Sequence, residues 1–170
     1  KEYLKNFLSV KNSYKVFTDK TYQNFLWIGF IRIFFPNSIV INSIRNPKDV
    51  CFSIFKNTFN DSGMDWAYDQ NDIATYYNIY SEMIKFWNKI IPNFIVNLDY
   101  DLLVTNPESE IKNLINNCEL NWDDNCLNHH KNKNIINTTS NVQVRKKIYT
   151  SSKNSYLNYE SHLSKMFDDL

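Results

Sequence analysis

An arginine directly after a β-branched run, followed by proline and, further on, by serine, is a pattern suited to holding a phosphate. Arg45 follows SIVINSI, residues 38–44, a short stretch with the composition and length of a buried strand. Arg45-Asn46-Pro47 then leads into a helical pattern, where Pro47 suits the first turn. Ligands of open α/β sheets bind beyond the carboxyl ends of the strands, and the free N–H groups of a helix N-terminus favour an anion. Ser53 stands eight residues after Arg45, about two turns into that helix, and can face the same side if the loop folds back. Guanidinium, hydroxyl and helix N-terminus together suit a phosphate monoester. The same spacing also allows a plainer arrangement, in which Arg45 pairs with Asp49 and Ser53 is a hydroxyl on the helix surface. Spacing alone leaves both open.

Arginine occurs only at Arg32, Arg45 and Arg145 in a chain otherwise rich in lysine. Where a point charge suffices this sequence uses lysine, so a retained arginine hints at a planar, forked contact. Taken alone, Arg145 and Lys146 read as a solvated charge run, and Asp19-Lys20 as an exposed strand end. Tyr100 reads as a half-buried residue at the end of a strand. His129 and His130 are neighbours in a polar loop and read as surface residues, so no catalytic base is assigned. Cys51, Cys118 and Cys126 are odd in number and none is at C-x-x-C spacing. Neither a metal site nor a disulfide framework is expected, and a reducing, cytoplasmic location fits best.

The chain of 170 residues, 43% hydrophobic and 16% aromatic, can bury a core and forms one domain over residues 1–170. Its net charge of +1 supplies no broad field to attract nucleic acid or a membrane, so any anion site must be local. No apolar run reaches the roughly 18 residues of a membrane span. The most apolar stretch, 25–35, is interrupted by Arg32. The sequence starts at Lys1 and reads as a piece of a longer protein.

These residues need elements to position them. Residues 14–18 and 94–98 join 38–44 as strand candidates. The pattern predicts a helix over 24–35 buried on most sides, and another over 47–59. A long amphipathic helix follows, capped by Asp72, with Ile73, Tyr76, Tyr80, Ile84, Trp87 and Ile91 on its apolar face. Pro92-Asn93 ends it. Asn106-Pro107 opens a helix running to about Cys118, residues 121–155 are polar and aperiodic, and 155–170 close in a weakly amphipathic helix. Strands alternating with helices imply an α/β domain with a parallel sheet flanked by helices on both faces.

The run IVINSIRNPKDVCFSIFKNTF resembles a segment of the PAPS-dependent sulfotransferases, in which a strand ends in Arg and is followed by Asn-Pro-Lys-Asp and a Ser. Further likenesses are TDKTYQNFLWIGFIRIFFPN before it, and DIATYYNIYSEMIKFWNKIIP and VNLDYDLLVTNPESEIKNLINNCELNWDDNCL after it. TTSNVQVRKKIYTSSKNSYLNYE resembles the family's C-terminal cofactor loop. The matches run from about 14 to about 160 and correspond to the C-terminal two-thirds of the protein-tyrosine sulfotransferase-like and bacterial TPR-associated enzymes. The resemblance implies a P-loop-NTPase-like parallel sheet that lacks the N-terminal phosphate-loop strand. It implies 3′-phosphoadenosine 5′-phosphosulfate (PAPS) as co-substrate, a hydroxyl acceptor, no metal, and, as in the TPR-associated enzymes, a TPR region upstream in the parent chain. It places the 3′-phosphate on Arg45 and Ser53, Tyr100 near the nucleotide, and Arg145 and Lys146 in a basic loop over the phosphates. Lys20 and Ser140 fall where the family stabilises charge on the transferring group.

The family's Pro-Arg-Ser-Gly-Thr-Thr loop around the 5′-phosphosulfate has no counterpart here, for glycine occurs only at Gly29 and Gly63. The subgroup's glutamate base lies just after that loop and is missing too. Asn154-Ser155-Tyr156 stands where relatives tend to carry Gly-Lys/Arg-Trp. The expectation is therefore a sulfotransferase region that is inactive without its upstream loop. The rivals are a non-catalytic relic that binds 3′-phosphonucleotides, and a P-loop kinase relative.

Overall fold

The computed structural model describes residues 16–59, 63–132 and 145–170. A 3-10 turn, Asn24–Leu26, leads into helix α1, Ile28–Phe34. Strand β1, Val40–Ile44, is followed by α2, Pro47–Phe55, a 3-10 turn at Asp65–Tyr68, and the long α3, Gln70–Ile90. Strand β2, Ile95–Asp99, passes directly into α4, Tyr100–Thr105, and then α5, Pro107–Asn117. A 3-10 segment, Asp124–Lys131, a second, Ser155–His162, and the single-turn α6, Ser164–Phe167, complete the described chain.

β1 and β2 pair in parallel, from Val40 opposite Ile95 to Ile44 opposite Asp99. Asn42 and Asn97 are partners in this register, and the Asn42 amide donates to Asn97 Oδ1 at 3.0 Å. The Tyr80 hydroxyl of α3 donates to Asn42 Oδ1 at 2.8 Å, so the buried Asn42 amide is satisfied through both oxygen and nitrogen. A slip of one residue would break these bonds and turn Asn42 to the opposite face.

Two apolar clusters make up the core. Ile28 of α1 packs with Phe94 and Ile95, and Val40, Ile84, Trp87 and Ile91 close around them. Gly29 lets α1 approach α3, because a Cβ there would lie 2.7 and 2.8 Å from carbons of the Trp87 indole. That indole is held by its Nε1–H, which donates to the Phe25 carbonyl at 2.7 Å. The second cluster joins Cys51 and Phe52 of α2, Ile73 and Ala74 of α3, and Leu163, Met166 and Phe167 of the C-terminal segment. It is this cluster that brings the end of the chain back onto α2.

The parallel, helix-flanked arrangement agrees with the sequence, and several details correct it. Residues 16–18 are exposed and form no strand, while 14 and 15 lie outside the described residues, so the described sheet has two strands rather than three. The 24–35 segment breaks at Trp27 and is not buried on most sides: Phe30 is 55% and Ile33 71% exposed. Seven helical residues meet the core through one face, and apolar composition cannot say which face that is. β1 is likewise not a buried strand, since Ile41 is 44% exposed and only Asn42 is buried. The cap of α3 is Asp69 rather than Asp72; Asp69 is extended, and its Oδ1 accepts from the N–H groups of Asn71 at 2.8 Å and Asp72 at 3.2 Å. The predicted C-terminal helix divides into a 3-10 segment and one α-turn, because Leu163, Met166 and Phe167 must all turn inward.

Candidate functional site

Arg45 leaves the carboxyl end of β1, and Asn46 caps α2 by accepting from the Lys48 N–H at 2.9 Å. Pro47 occupies the first turn, where a missing N–H costs nothing. This geometry sets Asp49 beneath Arg45: Nη2 stands 3.3 Å from Asp49 Oδ2, with the arginine side chain 15% and the carboxylate 1% exposed. The plainer arrangement, an Arg45–Asp49 ion pair, therefore exists.

More is built on the pair than an ion pair requires. The Arg45 guanidinium lies over the Tyr100 ring, 4.7 Å from its centroid. Tyr100 is the first residue of α4, immediately beyond β2, so both residues stand at carboxyl ends of paired parallel strands. The backbone turn at 152–155 closes over them. Arg45 Nη2 donates to the Ser152 carbonyl, and the Ser152 and Tyr100 hydroxyls are 2.7 Å apart. The Asn154 N–H donates to Asp49 Oδ2 at 2.8 Å, and the Ser155 hydroxyl to Oδ1 at 3.4 Å. Lys153 Nζ stands 3.9 Å from Asp101. Beside the turn, Lys48 pairs with Glu160 at 2.9 Å, and this hydrogen bond, ahead of the other nearby charges, holds the ammonium above its ordinary pKa.

Asn154 takes φ 56, ψ 23, the left-handed region. Glycine is the usual residue there and asparagine the commonest substitute, which accounts for the departure noted at 154. The turn thus keeps its backbone course without glycine.

Within this cluster the Arg45 Nε–H is shut off from solvent and has no hydrogen-bond partner among the described residues. A buried donor left unpaired costs about 1–3 kcal/mol, more when charged. An anion reaching that edge of the guanidinium would recover the cost, so the donor chemistry fits a phosphate.

The predicted site residues divide. Arg45 and Tyr100 are brought together. Ser53 is half-buried on α2, and no hydrogen bond joins it to Arg45; its carbonyl accepts from the Asn57 amide at 2.6 Å. Lys20 is exposed ahead of the first 3-10 turn. Ser140 lies outside the described residues. Arg145 and Lys146 are exposed, and the Lys146 carbonyl is 3.1 Å from His129 Nε2. His129 and His130 are each partly exposed. Burial first, then the charges of His129, Lys131 and Lys147, lowers the pKa of His130. Ser152 was not foreseen, and Asn154 and Ser155 were noted only as a departure from the family's pattern, not as partners of Asp49. Among the described residues no group of three or more His, Cys, Asp or Glu could hold a metal, and no helix is long and apolar enough to cross a membrane.

The model of the sulfotransferase family matches residues 1–124, which include Lys20, Arg45, Ser53 and Tyr100. An uncharacterized protein of Aquifex aeolicus is 34% identical over 99% of this chain, and the chain spans 22% of that relative's length. The chain belongs to the sulfotransferase family.

Proposed function

We propose that this chain is the nucleotide-binding part of a PAPS-dependent sulfotransferase, with Arg45 as the ligand of the 3′-phosphate. The observation that carries this reading is the unpaired, buried Nε–H of Arg45 at the carboxyl end of β1, beside Tyr100. The P-loop-like architecture belongs to the same reading, supported by the parallel strands and by the family match. PAPS supplies an activated sulfuryl group: an acceptor hydroxyl oxygen bonds to sulfur as the bond from sulfur to the 5′-phosphate oxygen breaks. The acceptor's proton passes to a base that this reading assigns to the parent chain, and the diphosphonucleotide leaves. Lys20 and Ser140 stabilise charge on that leaving oxygen. Ser53, Tyr100, Arg145 and Lys146 join Arg45 in binding the nucleotide, whose remote 3′-phosphate provides binding energy that nucleotides lacking it cannot.

The acceptor, a protein tyrosine or a carbohydrate, and the 5′-phosphosulfate contacts are assigned to the parent chain, with a TPR region upstream. A chain that covers 22% of its relative leaves ample length for them. A cytoplasmic location goes with three free thiols. A second reading, a relic that binds the nucleotide without transfer, is favoured by one observation: with glycine only at Gly29 and Gly63, these 170 residues carry no counterpart of the phosphosulfate loop.

Calorimetry with 3′,5′-diphosphoadenosine and 5′-AMP tests the reading on the parent protein. Arg45→Ala should weaken the diphosphate by about 10–100-fold, the equivalent of roughly 1.5–3 kcal/mol for a charge-assisted contact, and leave AMP nearly unchanged. Equal losses for both nucleotides would remove Arg45 from the 3′-phosphate.

A further inference from the structure

A carboxylate that is 1% exposed needs partners for all its lone pairs, because an isolated buried charge is costly. Asp49 finds them on two segments far apart in sequence. Its Oδ2 is shared between the Arg45 guanidinium, four residues before it, and the Asn154 N–H, 105 residues after it. Its Oδ1 takes the Ser155 hydroxyl. The Arg45 nitrogen that faces Asp49 also donates to the Ser152 carbonyl, and Ser152 closes the circuit through Tyr100. The guanidinium plane, the turn at 152–155 and the tyrosine ring are therefore fixed by one set of contacts. With Nη2 held from both sides, the Nε–H edge has a single direction.

We propose that Asp49 is a positioning residue that couples the anion-binding arginine to closure of the 152–155 turn. This rests on the reading of Arg45 as the 3′-phosphate ligand. Asp49 itself touches no nucleotide; a negative group beside the phosphate would repel it. Its role is to hold Arg45 in the orientation that leaves Nε–H without a protein partner, and to draw the turn down with it. The coupling is reciprocal: what favours the docked turn favours the anion, and a bound anion favours the docked turn to the same degree. A plain structural ion pair predicts something else, a loss of folding stability that affects all ligands alike.

The experiment uses the parent protein and reads backbone hydrogen exchange at 152–156 together with nucleotide affinity. In the unaltered protein, 3′,5′-diphosphoadenosine should slow exchange of the Asn154 amide by about 10-fold or more, whereas 5′-AMP should not. Asp49→Asn keeps the shape and removes the charge. It should speed Asn154 exchange without ligand and weaken the diphosphate by about 10-fold relative to AMP. Ser155→Ala removes the weaker contact alone and should produce a smaller change in the same direction. A folded Asp49→Asn variant that binds the diphosphate with unchanged affinity overturns the coupling, as does an Asn154 amide in the unaltered protein that is indifferent to the diphosphate while Arg45→Ala still abolishes its binding. Failure of the underlying reading looks different: the unaltered protein would bind the two nucleotides equally, and Arg45→Ala would change neither.

Discussion

Lys20 and Arg45 are assigned to opposite ends of the same nucleotide, and their replacement should separate affinity from turnover. In the parent enzyme Lys20→Ala should lower kcat by about 10²–10³ and leave diphosphate affinity within a few-fold, because its partner charge develops only during transfer. Parallel loss of both would make Lys20 a binding or folding residue. Cys51 gives a test that is independent of function. Burial pushes its thiol from 9.0 up to about 12, so it should resist alkylation at pH 8 while the half-buried Cys126 reacts. Between those two values the unfolded chain releases the Cys51 proton and the folded chain retains it. Stability is therefore intact below pH 9 and falls as pH rises toward 12, by about 1.4 kcal/mol per unit. Tyr76, Tyr77 and Tyr80, raised chiefly by burial, add to the fall at high pH. Urea melts at increasing pH should show a shallower decline for Cys51→Ala than for the unaltered chain.

Among the elements, α1 and α3 meet where a helix glycine faces an indole. Gly29→Ala gains about 0.5–1 kcal/mol of helix propensity and forces a methyl to within 2.7 Å of Trp87, an overpacking worth about 1–3 kcal/mol. The clash should win, since the indole is held by the Phe25 carbonyl, and the denaturation midpoint should fall. Capping provides a second measurement. Asp69→Ala should cost about 1 kcal/mol and Asp72→Ala less, because only Asp69 accepts from the first-turn N–H groups. Asp72 was the residue the apolar periodicity selected, and the error shows what periodicity can and cannot deliver. Ile73, Trp87 and Ile91 were legible as a face because a helix repeats every 3.6 residues. The first residue of the helix is set by a backbone angle at Asp69, which leaves no periodic trace. β1 and β2 were legible from short β-branched runs, but their exposure was not, because burial depends on what packs against them. In the site, Arg45 was legible because it ends a strand ahead of a helix, whereas Tyr100 entered through the family resemblance. The hold of the Ser152 carbonyl on Arg45 and of the Asn154 N–H on Asp49 was not, since contacts through backbone groups do not depend on which side chains the segment carries.

The whole molecule carries an uncovered apolar surface, with Trp27, Phe30, Ile33 and Phe34 of α1 and its approach all more than half exposed. A contiguous patch of this kind is unusual on an isolated soluble chain. The 170 residues alone should therefore bind a hydrophobic dye and self-associate in size-exclusion chromatography. They should also transfer no label from PAPS to phenols, tyrosine peptides or sugars, while the parent chain does both less and more, associating less and transferring. Robust transfer by the short chain would place the missing phosphosulfate contacts within it. A different consequence follows from the bond between Arg45 and Ser152, which joins residues 107 apart. At about 5–20 residues per second, Ser152 is made roughly 5–20 s after Arg45. Asp49 is made almost at once, so the ion pair is available to the nascent chain and the turn over it is not. The nucleotide can then assist folding only after the ribosome has delivered the C-terminal segment. Chains stalled before Ser152 should bind 3′,5′-diphosphoadenosine no better than Arg45→Ala does, however well their β1 and α2 have formed.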